Sequence, residues 1–343
     1  RAGGGTAQWY RADHYEDSSE ANSMEQRLTE APGLLGRTFL NFPLELDLQN
    51  MDADIAVLGI PFGKPYSAAS MANDQSRAPD VLRHTPTDED ITYTRTHYDW
   101  DLDGYLLDDR DIKVVDCGNV ISDPANHSLH YEMAEKAARL IFQKGALLLA
   151  VGGDHGVPIP VMRALEVIGE PITLIHIDAH LDWRDEINGE REGYSSPIRR
   201  ASEMPWIADI FQIGMRGIGS ARSQEVTDAK LHGSNIISAY ALHEVGMNRV
   251  LESVPSGRKY YLTIDADGVD PSIMPAVMSQ TPGGLTWPQL HTLVHVLTQK
   301  GTLVGADLVE IAPERDIGGT TMIHAERLLC NVMGAWVRNR HTV

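Results

Sequence analysis

The chain has 343 residues, 42% of them hydrophobic and 22% charged, which is long enough and apolar enough for a globular enzyme with a sizeable core. Its formal net charge of −19 argues against non-specific nucleic-acid binding and against an anionic membrane surface, and it suits a cationic small ligand. The two cysteines, Cys117 and Cys330, lie in apolar segments and read as buried free thiols, which excludes a disulfide framework. No run approaches the roughly 18 consecutive apolar residues of a membrane span. The first residues, "RAGGGTAQWYRADHYEDSSEANSME", lack the apolar centre of a secretory signal, so a cytoplasmic location is expected.

Residues 1–50 are polar and read as an N-terminal extension, and 51–343 as a single catalytic domain. From residue 54 onward a rhythm sets in. Apolar runs over 54–63, 112–118, 146–155, 172–180, 209–217, 259–267 and 302–311 predict buried strands. Between them, amphipathic patterns predict helices over 130–145, 157–170, 238–254 and 287–301, the last stopping at Lys300 and Gly301. Continuous apolar strands alternating with helices mean a mostly parallel sheet covered on both faces. The fold class is α/β.

In such sheets ligands bind at the carboxyl ends of the strands. Four of these runs end in residues of metal-ligating type. "GGDH" supplies His155, "DAHLD" supplies Asp178, His180 and Asp182, "DADGVDPS" supplies Asp265 and Asp267, and "DLVEIAPERD" supplies Glu310. Each alone has a plain explanation: a glycine-rich turn, a solvated histidine, a helix cap. Alternate residues of an extended segment share a face, which makes "DAHLD" the most specific of them. Four coincidences at the same end of four strands are improbable. Four carboxylates and two imidazoles exceed what one transition metal takes from protein. They suit two divalent ions bridged by carboxylates, about 3.5–4 Å apart, with an activated water between them. With Glu310 added the pocket stays net negative, so it should prefer a cation.

Taken jointly and in this order, "GGDH", "DAHLD", "DADGVDPS…TPGGLT" and "DLVEIAPERD" resemble the signature segments of the ureohydrolase family, arginase, agmatinase and their relatives, over roughly residues 50 to 340. The resemblance implies a three-layer α/β/α fold with a mostly parallel sheet of about eight strands, a centre of two divalent ions (manganese or nickel), and a trimer or hexamer. Carried over residue by residue, it implies that His155 and Asp182 hold one metal, His180 and Asp267 the other, and that Asp178 and Asp265 bridge both. It further implies that a metal-bridging hydroxide attacks a guanidino carbon and releases urea and an amine. Asp182 would shuttle the proton, and Glu310 would pair with the guanidinium N–H groups.

Three departures bear on the substrate. Family members acting on arginine or agmatine carry a histidine in the loop after "DAHxD", where "REGYSSPIRRASEM" places Tyr194. The early segment "GKPYSAASMANDQSRAPDVLRH" lacks the arginine- and glycine-rich loop of agmatinases, and "DADGVDPSIMPAVMSQTPGG" departs from the family's usual variant. Tyr194 and Trp183 are candidate substrate contacts, Trp183 by stacking on a flat guanidinium; a plain loop tyrosine and a core tryptophan are the alternatives. By the resemblance the expected substrate is a small cationic guanidino compound, agmatine or a guanidino acid, while these departures set the chain apart from the agmatinase pattern. The alternative is guanidine, dimethylguanidine or a biguanide such as metformin. A non-catalytic subunit paired with an active paralogue would have lost ligands, and all six are present. A single-zinc deacetylase does not account for the second aspartate pair.

Overall fold

The computed structural model describes residues 27–33, 36–67, 73–84, 91–123 and 126–340. Among the described residues nine strands form one sheet: β1 (Thr29–Glu30), β2 (Ile55–Ile60), β3 (Val114–Val120), β4 (Leu147–Gly152), β5 (Ile172–Ile177), β6 (Ile207–Met215), β7 (Asn235–Ser238), β8 (Lys259–Asp265) and β9 (Thr302–Val309). Their spatial order is β1-β3-β2-β4-β9-β8-β5-β6-β7. Every pair is parallel except β1 with β3, a two-residue antiparallel edge. The three-layer α/β/α architecture is as expected, with an extra edge strand.

The central strands are buried on both faces, which explains their unbroken apolar sequences. Along β4 the side chains alternate between two cores: Leu147, Leu149 and Val151 enter one, Leu148 and Ala150 the other. The first core is closed by helices Trp287–Lys300 and Thr320–Asn339 through Leu290, Leu297, Met322 and Val337. The second is closed by helices His127–Gln143 and Pro158–Ala164 through Ala134, Ile141, Val161 and Met162. Cys117 and Cys330 are buried and free, as expected. Among the described residues no helix is long and apolar enough to cross a membrane.

Some elements differ from the sequence pattern. The helix expected over 238–254 is two helices, Ala239–Val245 and Met247–Glu252, because Gly246 sits at φ 81°, outside helical space. Helix Thr320–Asn339 was not anticipated. Two polar residues, Glu326 and Asn331, are buried within it, and residues 328–337 are buried without a break, so no exposed face marks its second half. The described part of the polar N-terminal extension is not a detached arm. Phe39, Leu40 and Phe42 are buried in the first core, and Phe39 N donates to buried Asp116 at 2.6 Å. Residues 1–26 and 68–72, the latter within the atypical early loop, lie outside the described residues.

Candidate metal centre

The topology brings the four predicted strand ends together. β4, β9, β8 and β5 are consecutive neighbours in the sheet and all parallel, so their carboxyl ends open on one side. His155 follows β4, Asp178, His180 and Asp182 follow β5, Asp265 ends β8 with Asp267 in the next turn, and Glu310 follows β9. Close backbone approach requires glycine here: a Cβ on Gly153 would lie 2.1 Å from Pro61 O, and one on Gly268 would lie 2.6 Å from Asp178 N. The face-sharing rule does not itself gather Asp178, His180 and Asp182, because β5 ends at Ile177 and the chain bends at 179–180. Convergence instead depends on Asp182 holding φ 50°, a left-handed conformation that a non-glycine residue adopts at a cost of about 1–3 kcal/mol. Glu310 does the same at φ 65°.

His155 Nδ1 stands 3.0 Å from Asp178 Oδ2, 3.0 Å from Asp182 Oδ2 and 3.2 Å from Asp265 Oδ2. It is buried and makes no hydrogen bond of acceptable geometry. His180 Nδ1 stands 3.3 Å from Asp178 Oδ1 and 3.2 Å from Asp267 Oδ2. Asp178 therefore divides its two oxygens between the two histidines, the arrangement of a bridging carboxylate. Asp265 turns one oxygen to His155 and accepts the N–H of Asp267 on the other at 2.8 Å. Among the described residues the donors fall into two groups that share Asp178, one with His155, His176 and Asp182, the other with His180 and Asp267.

Electrostatics shows the deficit of positive charge. Burial, then the charges of Asp267 and Asp178, pushes Asp265 well above the carboxylate range, and burial with Asp178 raises Asp182 and Asp267. Burial opposes charging His180, but the carboxylates of Asp178 and Asp267 prevail and push it up to about 12; Asp178, Asp182 and Asp265 likewise hold His155 well above its ordinary value. Crowded carboxylates with an orphaned, buried ring nitrogen fit a site for divalent cations, with mixed N/O donors of the kind manganese and nickel accept.

Glu310 has separate partners. Oε1 accepts from His155 N at 2.8 Å and Oε2 from Gln75 Nε2 at 3.0 Å, while Glu310 N donates to Gly153 O at 2.8 Å. Burial, and then the charge of Asp154, pushes Glu310 up to about 8. An inner cavity of about 210 Å³ is lined by the donors His180, Asp182, Asp265 and Asp267, and an outer one of about 600 Å³ by Asp154, Gln75, Glu314 and Arg315. Tyr194, Met278, Ser279 and Glu310 line both and so form the waist between them. Tyr194 packs edge-on against Tyr66, ring centroids 4.8 Å apart. Burial and the charge of Glu310 push its phenol up, so at neutral pH it is a hydrogen-bond donor rather than a base.

Trp183 is placed elsewhere. It is 3% exposed, packed in the second core with its ring 5.5 Å from that of His232, and it lines neither cavity. A stacking contact with substrate is not available to it there. The sequence reading also missed residues that support the site: Gln75, Asp154, His176, Thr263 and Asp307. His176 and Asp307 gave a signal, a polar residue inside an apolar strand; Gln75, in a polar loop, gave none.

Comparison with known proteins agrees with this geometry. The family model described as the arginase family matches residues 53–334. The agmatinase of Bacillus subtilis (strain 168) is 31% identical over 229 residues, covering 66% of this chain and 77% of that protein. The guanidinobutyrase of Pseudomonas aeruginosa is 30% identical over 228 residues, covering 65% and 70%. The crystal structure of a hypothetical agmatinase from Burkholderia thailandensis superposes with a TM-score of 0.72 at 27% identity over 88% of this chain and 90% of that one. Proclavaminate amidino hydrolase from Streptomyces clavuligerus gives 0.76 at 25% identity over 89% and 98%.

Proposed function

The chain belongs to the arginase family and is a hydrolase of C–N bonds in linear amidines, and from that premise we propose that it splits a small cationic guanidino compound into urea and an amine at a centre of two divalent ions. The observation that carries this reading is Asp178, whose two oxygens face His155 and His180 separately beneath a cavity walled by Glu310. In the proposed centre His155 and Asp182 would hold one ion, His180 and Asp267 the other, and Asp178 and Asp265 would serve both. When bound, the ions supply hydroxide at neutral pH by acidifying water. Oxygen-rich ligation favours manganese, and the two imidazoles keep nickel competitive.

The protein's own groups do the rest. Glu310 accepts guanidinium N–H groups and fixes the carbon over the inner cavity, where its rigid hold by His155 N and Gln75 limits misalignment. Asp182 passes the proton from the attacking water to the departing nitrogen, and its left-handed backbone fixes where that oxygen stands. Tyr194 offers its phenol as a donor or wall at the waist. The inner cavity of about 210 Å³, narrowed by Tyr194 and Met278, also supports a second substrate reading: guanidine, dimethylguanidine or metformin, the last yielding guanylurea. The full set of converging donors speaks against a purely structural subunit. We further propose one catalytic domain over 51–343 assembled as a trimer or hexamer.

The test is a panel of agmatine, arginine, guanidinobutyrate, guanidinopropionate, guanidine, dimethylguanidine and metformin, assayed with manganese and with nickel. Urea or guanylurea release from one of them is expected. Release from none would return the chain to a non-catalytic role, and turnover of the compact compounds alone would establish the second substrate reading.

A further inference from the structure

One layer below the proposed metal ligands, four polar side chains occupy a single rung of the otherwise apolar sheet. Asp307 on β9 is paired with Thr263 on β8, Thr263 with His176 on β5, and His176 with Gln212 on β6. All four are fully buried. Burying so many polar groups is costly unless each is satisfied.

The hydrogen bonds along the rung have a forced direction. Gln212 Nε2 lies 2.7 Å from Leu181 O, which can only accept, and Gln212 Oε1 accepts the hydroxyl of Ser234 at 2.8 Å. The amide orientation is therefore settled by its neighbours. The same Nε2 lies 3.2 Å from His176 Nδ1, so that ring nitrogen accepts and the ring's proton is on Nε2. His176 Nε2–H then donates to Asp178 Oδ2 at 2.8 Å. At the other end, Asp307 accepts from Tyr261 OH at 2.6 Å and from Thr263 Oγ1 at 2.7 Å. With its proton committed to Asp307, Thr263 Oγ1 can only accept from His155 Nε2, 3.1 Å away. That commits a proton to His155 Nε2 and turns Nδ1 toward the carboxylates as the atom a metal ion would take.

We infer that the rung Asp307–Thr263–His176–Gln212 is the device that orients the metal centre, fixing His155 with Nδ1 free and making His176 a hydrogen-bond donor to the bridging Asp178 rather than a metal ligand. The inference rests on the two-ion reading above and adds the tautomers and the role of His176. Its consequence for Asp178 is specific. Oδ2 takes the His176 N–H and Oδ1 takes His180 N at 2.6 Å, so each oxygen keeps one lone pair, directed toward His155 in one case and His180 in the other. His176, Thr263 and Gln212 are positioning residues. Outer partners of this kind alter metal affinity by roughly 10–100-fold.

The experiment uses full-length protein stripped of metal. Calorimetric titration with manganese and with nickel gives affinity and ion count for wild type, His176→Leu, His176→Gln and Thr263→Val, with melting temperature recorded for each. The expected result is two ions per chain throughout, affinity about 10–100-fold weaker in His176→Leu and Thr263→Val, and substantial recovery in His176→Gln, whose amide N–H can stand in for Nε2–H. Loss of one ion in both His176 variants would make His176 a ligand and overturn the inference. Affinities that do not move while melting temperatures fall would reduce the rung to a structural role and overturn it equally. Nitrogen-15 histidine spectra of the unsubstituted metal-free chain test the His176 tautomer without any variant: a neutral His176 with its proton on Nδ1 refutes the scheme. A wild-type chain that binds no pair of ions, with the His176 tautomer as inferred, would sink the two-ion reading instead.

Discussion

Glu310→Gln separates substrate binding from metal binding more cleanly than any other single change. It abolishes the negative charge that a bound guanidinium would draw out of Glu310, otherwise pushed up to about 8, and keeps the shape. The amide oxygen can still accept from His155 N, where Oε1 now does at 2.8 Å. The new NH₂ would face the Gln75 amide nitrogen, 3.0 Å from Oε2 at present, but Gln75 Oε1 is buried without a partner, so a half-turn of that amide restores a hydrogen bond. The fold and the proposed ligands should therefore survive. What is lost is the charge-assisted contact with the guanidinium, about 1.5–3 kcal/mol for a hydrogen bond to a charged group. At about 1.4 kcal/mol per decade this is a fall of roughly 10- to 150-fold in kcat/KM. Elemental analysis of the same preparation should show unchanged metal content. A variant within twofold of wild type would remove Glu310 from substrate recognition, and one that lost metal along with activity would mean it belongs to the metal centre.

Purified protein should hold about two divalent ions per chain by elemental analysis, as a two-metal site requires; one zinc per chain, with no response to added manganese or nickel, would refute the dinuclear assignment. Asp178→Ala should lose both ions and all turnover, with a lower melting temperature because bound metal stabilises the native state by mass action; near-normal metal content would disprove its bridging role. Arg83→Leu should cost about 3–5 kcal/mol in urea unfolding, since it strands buried Asp116, whose two oxygens Arg83 holds at 2.8 Å each; a loss under about 1 kcal/mol would show that Asp116 finds other compensation. Tyr194→His should raise turnover of agmatine relative to guanidine if the waist sets specificity, and an unchanged ratio would remove Tyr194 from that role.

The donors were legible because chemistry and topology coincide at strand ends. A buried parallel strand leaves little choice inside the sheet, so functional polarity collects where the chain leaves it, and "GGDH", "DAHLD", "DAD" and "VEIAP" each stand at such an exit. What the order of residues could not show is adjacency. In sequence the four strands are separated by β6 and β7, yet the sheet places β9 and β8 between β4 and β5 and moves β6 and β7 to the edge. Only that rearrangement sets Glu310 against His155 and His155 against Asp178.

His176 and Trp183, on either side of "DAHLD", show where the reading of periodicity reaches its limit. Trp183 follows Asp182 directly, but a neighbour in sequence is a neighbour at the site only if the backbone keeps both side chains on one side. Asp182 adopts φ 50°, and Trp183 is buried in the second core. His176 presents the converse. Within "LIHID" it satisfies every expectation of a buried strand position except polarity, and period-2 reasoning places it with Asp178 while giving it nothing to do. Its role depends on Gln212 and Thr263, which lie 36 and 87 positions further along the chain and become its neighbours only through strand register. A ligand can announce itself locally by residue type and spacing. The residues that hold it in place are recognisable only across strands, because the hydrogen bonds that define them run perpendicular to the chain.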